Sequence, residues 1–179
     1  MEELLDDRGV DEAMRSDRGT TLIETVIALG ILLVAMAGLL SMAVIATSLT
    51  ENQGRLGART TEYAQDKLEQ LLALSYADVA SNTAVFPAAT SGGTGLAIGG
   101  SSSPAAPAAG YVDWIDAGGT LLTSSGATAP AGWFYERVWA VTNPSTNLKQ
   151  ITVTVIVASS VGGAQIPQST VTALKTFPF

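Results

Sequence analysis

The stretch that decides the fold is RGTTLIETVIALGILLVAMAGLLSMAVIA, which runs from Arg18 to Ala46. No ionisable side chain occurs between Glu24 and Glu51. The hydrocarbon core of a bilayer, about 30 Å thick, needs roughly 20 apolar residues in a helix. Residues 26–46 supply that length in Ile, Leu, Val, Ala, Met and a little Gly, so the stretch predicts a membrane-spanning helix.

The start of this stretch carries a compact polar pattern. Gly19 precedes Thr20, and the tetrapeptide TLIE ends in Glu24 at the edge of the apolar run. This pattern resembles the signal of type IV prepilins and of type II secretion pseudopilins, in which a hydrophilic leader ends in glycine and the fifth mature residue is glutamate. The resemblance implies cleavage by prepilin peptidase between Gly19 and Thr20, N-methylation of Thr20 and an assembly role for Glu24.

The chain departs from the commonest family pattern in two respects. The first mature residue is usually phenylalanine and is Thr20 here, and the leader is longer and more acidic than usual. Two other interpretations compete with the resemblance: a capping box formed by Thr21 and Glu24 at a helix start, and an uncleaved signal anchor. An ordinary secretory signal peptide is disfavoured because the apolar run is too long and no A-x-A cleavage site follows it.

Charge and composition fit a single-pass protein with a small exported domain. Arg15 and Arg18 precede the apolar run, so the positive-inside bias predicts a cytoplasmic leader and an exported C-terminal part. Removing residues 1–19 changes the net charge from −7 to about −3, and no basic face suggests nucleic acid. The chain has no cysteine, so the exported domain lacks the disulfide that many pilins carry.

The 179 residues allow one globular domain beyond the apolar run. We predict a leader at 1–19, a long helix at 20–76 whose residues 20–46 cross the membrane, and a loop at 77–110 rich in Ala, Gly, Ser and Pro. The second half of the helix is amphipathic, with its apolar face at Ala64, Leu68, Leu71, Leu72 and Ser75. The helix end resembles that of PilV-type minor pilins.

The last part of the chain, 111–179, alternates like an antiparallel sheet. Strands are predicted at 111–115, 133–141, 151–157 and 169–177, with a turn at Asn143, Pro144 and Ser145. A sheet of three or four strands is marginal alone, and the amphipathic helix supplies its second layer. The predicted fold class is α+β, and the resemblance implies a type IV pilin-like arrangement of the helix on the sheet.

The sequence offers little catalytic chemistry. Histidine and cysteine are absent, which excludes Ser-His-Asp and Cys-His nucleophiles and typical zinc sites, and no motif surrounds Lys67, Lys149 or Lys175 to suggest a Ser-Lys dyad. Asp113 and Asp116 could offer oxygen ligands to calcium, but they are too few for the six to eight oxygens that calcium prefers, so an ordinary exposed strand end is favoured there. We therefore expect no enzyme activity, no cofactor and no metal.

Two function classes remain open. The resemblance implies a minor pilin or pseudopilin in a type IV pilus or a type II secretion-like filament. Its partners would be prepilin peptidase, other pilin or pseudopilin subunits, the inner-membrane assembly platform and membrane lipid. It would start in the inner membrane with its C-terminal part outside the cytoplasm, and end in a pilus or periplasmic pseudopilus. The alternative is a single-pass anchored module that binds a ligand or adheres through its β head.

Overall fold

The computed structural model describes the backbone of residues 3–122, 126–158 and 166–177, and the side chains within those ranges from residue 21 onward. The chain forms two compact units, Met1–Ser48 and Leu49–Phe179. Helix α1 spans Glu3–Ala73, so it begins before the predicted start at residue 20 and ends before residue 76. We call Leu49–Phe179 the head unit.

The described residues of the head unit form one antiparallel sheet of six strands in the order β3-β2-β4-β5-β6, with β1 also paired to β4. The strands are β1 (Gly99–Gly100), β2 (Val112–Ile115), β3 (Leu121–Leu122), β4 (Tyr135–Ser145), β5 (Leu148–Val157) and β6 (Gln168–Thr176). One long N-terminal helix and a separate antiparallel sheet confirm the predicted α+β class.

The two faces of the sheet pack against different parts of the chain. The helix face carries Tyr135, Trp139, Val153 and other alternating residues, which pack with Leu56, Ala64 and Leu71 of α1. The outer face carries a smaller buried cluster of Val112, Trp114 and Val138, covered partly by Leu122, Ala127 and Trp133. Alternation along each strand directs successive side chains to opposite faces, which is why one sheet supports both clusters.

The contact face of α1 in the head unit is shifted from the predicted one. Thr60, Ala64, Lys67 and Leu71 have no exposed surface, whereas Leu68 and Leu72 are half-buried. Ser75, which the sequence placed on the apolar face, is exposed and lies beyond the helix end. The centre of the face therefore includes a lysine, and that lysine belongs to the site described below.

Two further sequence predictions differ from the structure. The predicted turn at 143–145 lies inside β4, where the pairing register shifts between Thr142 and Ser145. Proline cannot donate to a strand ladder, and such an irregularity accommodates Pro144. The predicted loop 77–110 contains β1 and an isolated bridge from Asn82 to Ala89, and its Leu96 is fully buried in the core.

Lysines of the sheet bind carbonyl groups at the C-terminal end of α1. Lys175 Nζ donates to Leu72 O at 2.6 Å, and Lys149 Nζ donates to Tyr76 O at 2.7 Å and to Leu96 O at 2.8 Å. The last turn of α1 has no basic residue of its own. Because the final carbonyl groups of a helix lack intrahelical partners and carry partial negative charge, Lys175 completes the C-terminus of α1, whereas Lys149 binds the segment that follows it.

Candidate functional site

The first candidate site is the apolar segment of α1 within residues 21–48. Nearly all of its side chains are exposed, including Leu22 at 66%, Val34 at 76% and Met42 at 71%. Its few hydroxyl groups bind carbonyls of the same helix, as Ser41 Oγ does to Ala37 O at 3.1 Å. The helix is long and apolar enough to cross a membrane, since this surface has no protein cover within the described residues.

The structure places the predicted assembly residue Glu24 on this exposed segment. Among the residues whose side chains are described, none forms a hydrogen bond or ion pair with the Glu24 carboxylate. Gly19 and Thr20, the predicted cleavage and methylation residues, lie within the bounds of α1 but outside the residues with described side chains. In the uncut chain α1 begins at Glu3, so Thr21 lies inside the helix and not at its start.

The second candidate site is a buried group of charges in the head unit. Asp113 of β2 lies between two cations, Arg137 of β4 and Lys67 of α1, and all three side chains are at most 4% exposed. Arg137 donates from Nε to Asp113 Oδ1 at 2.7 Å and from Nη2 to Oδ2 at 2.9 Å. Lys67 Nζ donates to the same Oδ2 at 2.7 Å. The bidentate donation from Arg137 to the two oxygens of Asp113 is the strong form of the interaction between arginine and a carboxylate.

The remaining donors of the two cations are also occupied. Arg137 Nη1 donates to Tyr63 O at 3.2 Å and to Asp66 Oδ2 at 3.1 Å. Lys67 Nζ donates to Thr83 O and lies 4.0 Å from the centroid of the Trp139 ring. Together these contacts connect α1, the 77–110 segment, β2 and β4. We call Lys67, Asp113 and Arg137 the polar joint, because they are charged residues inside the apolar core.

Electrostatics within this joint favour the charged form of Asp113. Burial raises the pKa of Asp113, but Arg137 and Lys67 outweigh burial and hold it below its ordinary value. Burial lowers the pKa of Lys67 to about 8, even though Asp113 opposes that shift. Burial also acts to lower the pKa of Arg137, but Asp113 and Asp66 together outweigh burial and hold that pKa above its ordinary value. The two oxygens of Asp113 are therefore engaged by protein cations and are not available to a calcium ion.

A cleft of about 580 Å³ opens beside the joint. Its lining includes Tyr63, Asp66, Phe86, Ile115, Leu121 and Arg137. Phe86 is 76% exposed, and the Asp66 side chain is 54% exposed. Exposed apolar and polar side chains thus line one cleft, as in many ligand-binding sites, and the guanidinium of Arg137 in the lining is engaged by Asp113 and Asp66.

The sequence analysis missed the polar joint, although it contained two signals of it. Lys67 lies three residues after Ala64 and four before Leu71, so it belongs to the inward face of the helix. Arg137 alternates with Tyr135 and Trp139, so it belongs to the inward face of β4. A cation on each of two buried faces calls for a buried anion, and Asp113 in YVDWI is an acid within a predicted strand. The exposed strand end that the sequence predicted for Asp113 and Asp116 is wrong for Asp113, which is 2% exposed inside β2. Asp116 lies in a turn in which its Oδ1 accepts from Thr120 N at 2.8 Å.

Comparison of the chain with protein-family models, with curated proteins and with solved structures finds no match.

Proposed function

We propose that this chain is a structural subunit of a type IV pilus or type II secretion-like filament, a minor pilin or pseudopilin that prepilin peptidase cuts before Thr20. One observation carries the proposal. A carboxylate, Glu24, follows the Gly19 and Thr20 pair at the start of a helix segment whose apolar surface is not covered by any of the described residues. Such an apolar surface needs a partner, which lipid supplies while the subunit is in the membrane and the helices of other subunits supply once it is in a filament.

Glu24 is the residue that we assign to assembly. An acidic side chain at mid-bilayer costs about 2.5–3.5 kcal/mol on insertion scales, and less near the edge, so it favours a partner. Cleavage creates one: the free amine of Thr20 on the neighbouring subunit. Gly30 and Gly38 have no atom within 4 Å of an added Cβ, so the surface at these positions is open and allows another helix to approach closely. The charge pair would set the register, while apolar contacts supply most of the affinity.

We expect Glu24→Gln to leave membrane insertion intact and to lower incorporation into filaments by about tenfold or more, because the amine of the neighbouring subunit loses its anion. The measurement is the amount of variant in sheared filaments, or bound to partner subunits, divided by the amount of cleaved protein in the membrane. Glu51→Gln is the matched control, since Glu51 is also exposed but follows the apolar run. Recovery of Glu24→Gln equal to that of Glu51→Gln would contradict an assembly role.

The cleft of the head unit favours a second candidate function, a membrane-anchored module that binds a ligand through its β head. The exposed Phe86 and the accessible Asp66 carboxylate are the residues that would contact such a ligand. The two candidates differ in processing, because an anchored module needs no cut after Gly19. Neighbouring genes for pilus or secretion components would separate the two kinds of filament from each other.

A further inference from the structure

The cleft beside the polar joint has polar side chains from one stripe of α1 in its lining. Tyr63, Asp66 and Gln70 follow one another at spacings of three and four residues, so they lie on one side of the helix, and all three line the cleft. Gln70 Nε2 donates to Asp66 Oδ2 at 2.9 Å, and Arg137 Nη1 donates to the same oxygen at 3.1 Å. Asp66 Oδ1, Gln70 Oε1 and the Tyr63 hydroxyl have no hydrogen-bond partner among the described residues.

Much of the remaining lining is apolar. It comes from the 77–110 segment and from the strands β2 and β3, and its members are Ala84, Val85, Phe86, Ile115, Leu121 and Leu122. Phe86 is 76% exposed, the highest fraction of any large hydrophobic residue in the described part of the head unit. The cleft therefore combines an uncovered aromatic ring with a few unpartnered polar atoms, which is the usual make-up of a small-molecule site.

The segment that carries Phe86 is held at its base. Asn82 N donates to Ala89 O at 2.8 Å, and Ala89 N donates to Asn82 O at 3.0 Å, so a backbone bridge closes the segment around Phe86. Lys67 of the polar joint donates to Thr83 O. A ring presented by a segment that is already ordered costs less conformational entropy when a ligand binds.

The charges of the lining balance each other. Asp66 and Arg137 are its two charged residues, and they form an ion pair with each other. Behind them, the negative charge of Asp113 offsets the positive charge of Lys67. A charged ligand would lose water without meeting an unpaired opposite charge, so the cleft favours a neutral ligand. Its unpartnered atoms are two acceptor oxygens and one hydroxyl, which match a ligand with several hydroxyl groups.

We propose that the cleft binds a neutral carbohydrate. A sugar ring has an apolar face of C–H groups, which covers Phe86, and hydroxyl groups at its edge, which donate to Asp66 Oδ1 and Gln70 Oε1. The volume of about 580 Å³ lies within the range of roughly 300–1,000 Å³ for small-molecule sites. This inference rests on the second candidate function, ligand binding by the β head, and names the class of ligand.

Saturation-transfer NMR on the full chain tests the ligand class. The chain is kept in a polyoxyethylene alkyl ether detergent, whose head group is neither a sugar nor an ion. The probes are the methyl glycosides of glucose, galactose, mannose and N-acetylglucosamine, and tetramethylammonium is the charged comparison. Because Phe86 and Tyr63 line the cleft, selective saturation of the aromatic protons of the protein should reach the ring protons of a bound glycoside.

We expect a transfer signal from at least one glycoside, and we expect Phe86→Ala to weaken its binding by about fivefold or more. Phe177→Ala is the matched control, since Phe177 is 48% exposed and lies outside the lining. Asp66→Asn should weaken binding by about tenfold, because a neutral amide oxygen is a poorer acceptor than a carboxylate. Glu69→Gln, which changes an exposed acid of α1 outside the lining, should leave binding unchanged.

Two results would overturn the carbohydrate proposal: no transfer signal from any of the four glycosides, or a signal that Phe86→Ala leaves at its native strength. Binding of tetramethylammonium that depends on Phe86, without binding of a glycoside, would also overturn it but would leave ligand binding by the head in place. Cleavage before Thr20 is measured separately, so the result for the cleft does not depend on the filament-subunit proposal.

Discussion

Replacing Asp113 by asparagine is expected to lower the free energy of unfolding of the head unit by about 3–5 kcal/mol, because it removes the buried anion that pairs with both Arg137 and Lys67. Asp113 is 2% exposed and accepts three hydrogen bonds of 2.9 Å or less from Arg137 and Lys67. The neutral amide keeps the shape of the side chain, so the loss reports charge and not packing. Urea denaturation of the full chain in detergent, followed by tryptophan fluorescence, measures it.

Asp66→Asn is the matched control for this measurement. Asp66 also pairs with Arg137, at 3.1 Å, but its side chain is 54% exposed, and solvent screens the pair. We expect Asp66→Asn to cost less than about 1 kcal/mol, as exposed ion pairs usually do. Equal losses of unfolding free energy in Asp113→Asn and Asp66→Asn would contradict a stabilising role for the buried polar joint.

Comparison of the native chain with Asp113→Asn also predicts how the stability of the head unit depends on pH. The pKa of Asp113 is held below its ordinary value of 3.8 in the folded chain. Its contribution to stability is therefore fully present above pH 3.8 and is lost as the pH falls below that value. The stability difference between the native chain and Asp113→Asn should be constant from pH 5 to 6 and should shrink below pH 3.8.

Much of the head unit could be predicted because its strands bury one face against a helix. The alternation at 133–141 and 151–157 indicates β4 and β5, since a buried face enforces a period of two. β1 could not be predicted in this way, because Gly99 and Gly100 have no side chains to alternate. Gly100 has φ +82°, and a Cβ there would lie 2.3 Å from Trp139 O, so tertiary contact determines that strand.

The candidate sites were predictable to different degrees. Glu24 stands out from the sequence because a single carboxylate borders a long run without charges. The polar joint depends on Lys67, Asp113 and Arg137, which are distant in sequence and meet only after α1 packs on the sheet. Periodicity shows which face each residue occupies, but it does not show which residues of two faces lie opposite each other. Pairing of buried charges is therefore the part of the site that required the structure.

Replacing Gly19 by valine is expected to abolish cleavage before Thr20, because a peptidase that cuts after glycine must admit the backbone closely at that position. A prepilin peptidase would shorten the native chain by its leader, which carries seven acidic and three basic residues, and would add one N-terminal methyl group. Intact mass spectrometry of the membrane fraction, from a host with an active prepilin peptidase, distinguishes the two forms. The cleaved fraction should be near complete for the native chain and near zero for Gly19→Val.

Gly9→Val is the matched control, since Gly9 lies in the same leader but is not followed by the TLIE motif. It should be cleaved as fully as the native chain, because the peptidase recognises the junction with the apolar run and not the leader as a whole. A native chain that still begins at Met1 would exclude the filament-subunit proposal and leave the anchored module. Cleavage of Gly19→Val at the native position would show instead that the glycine is dispensable, and the apolar helix with Glu24 would then carry recognition alone.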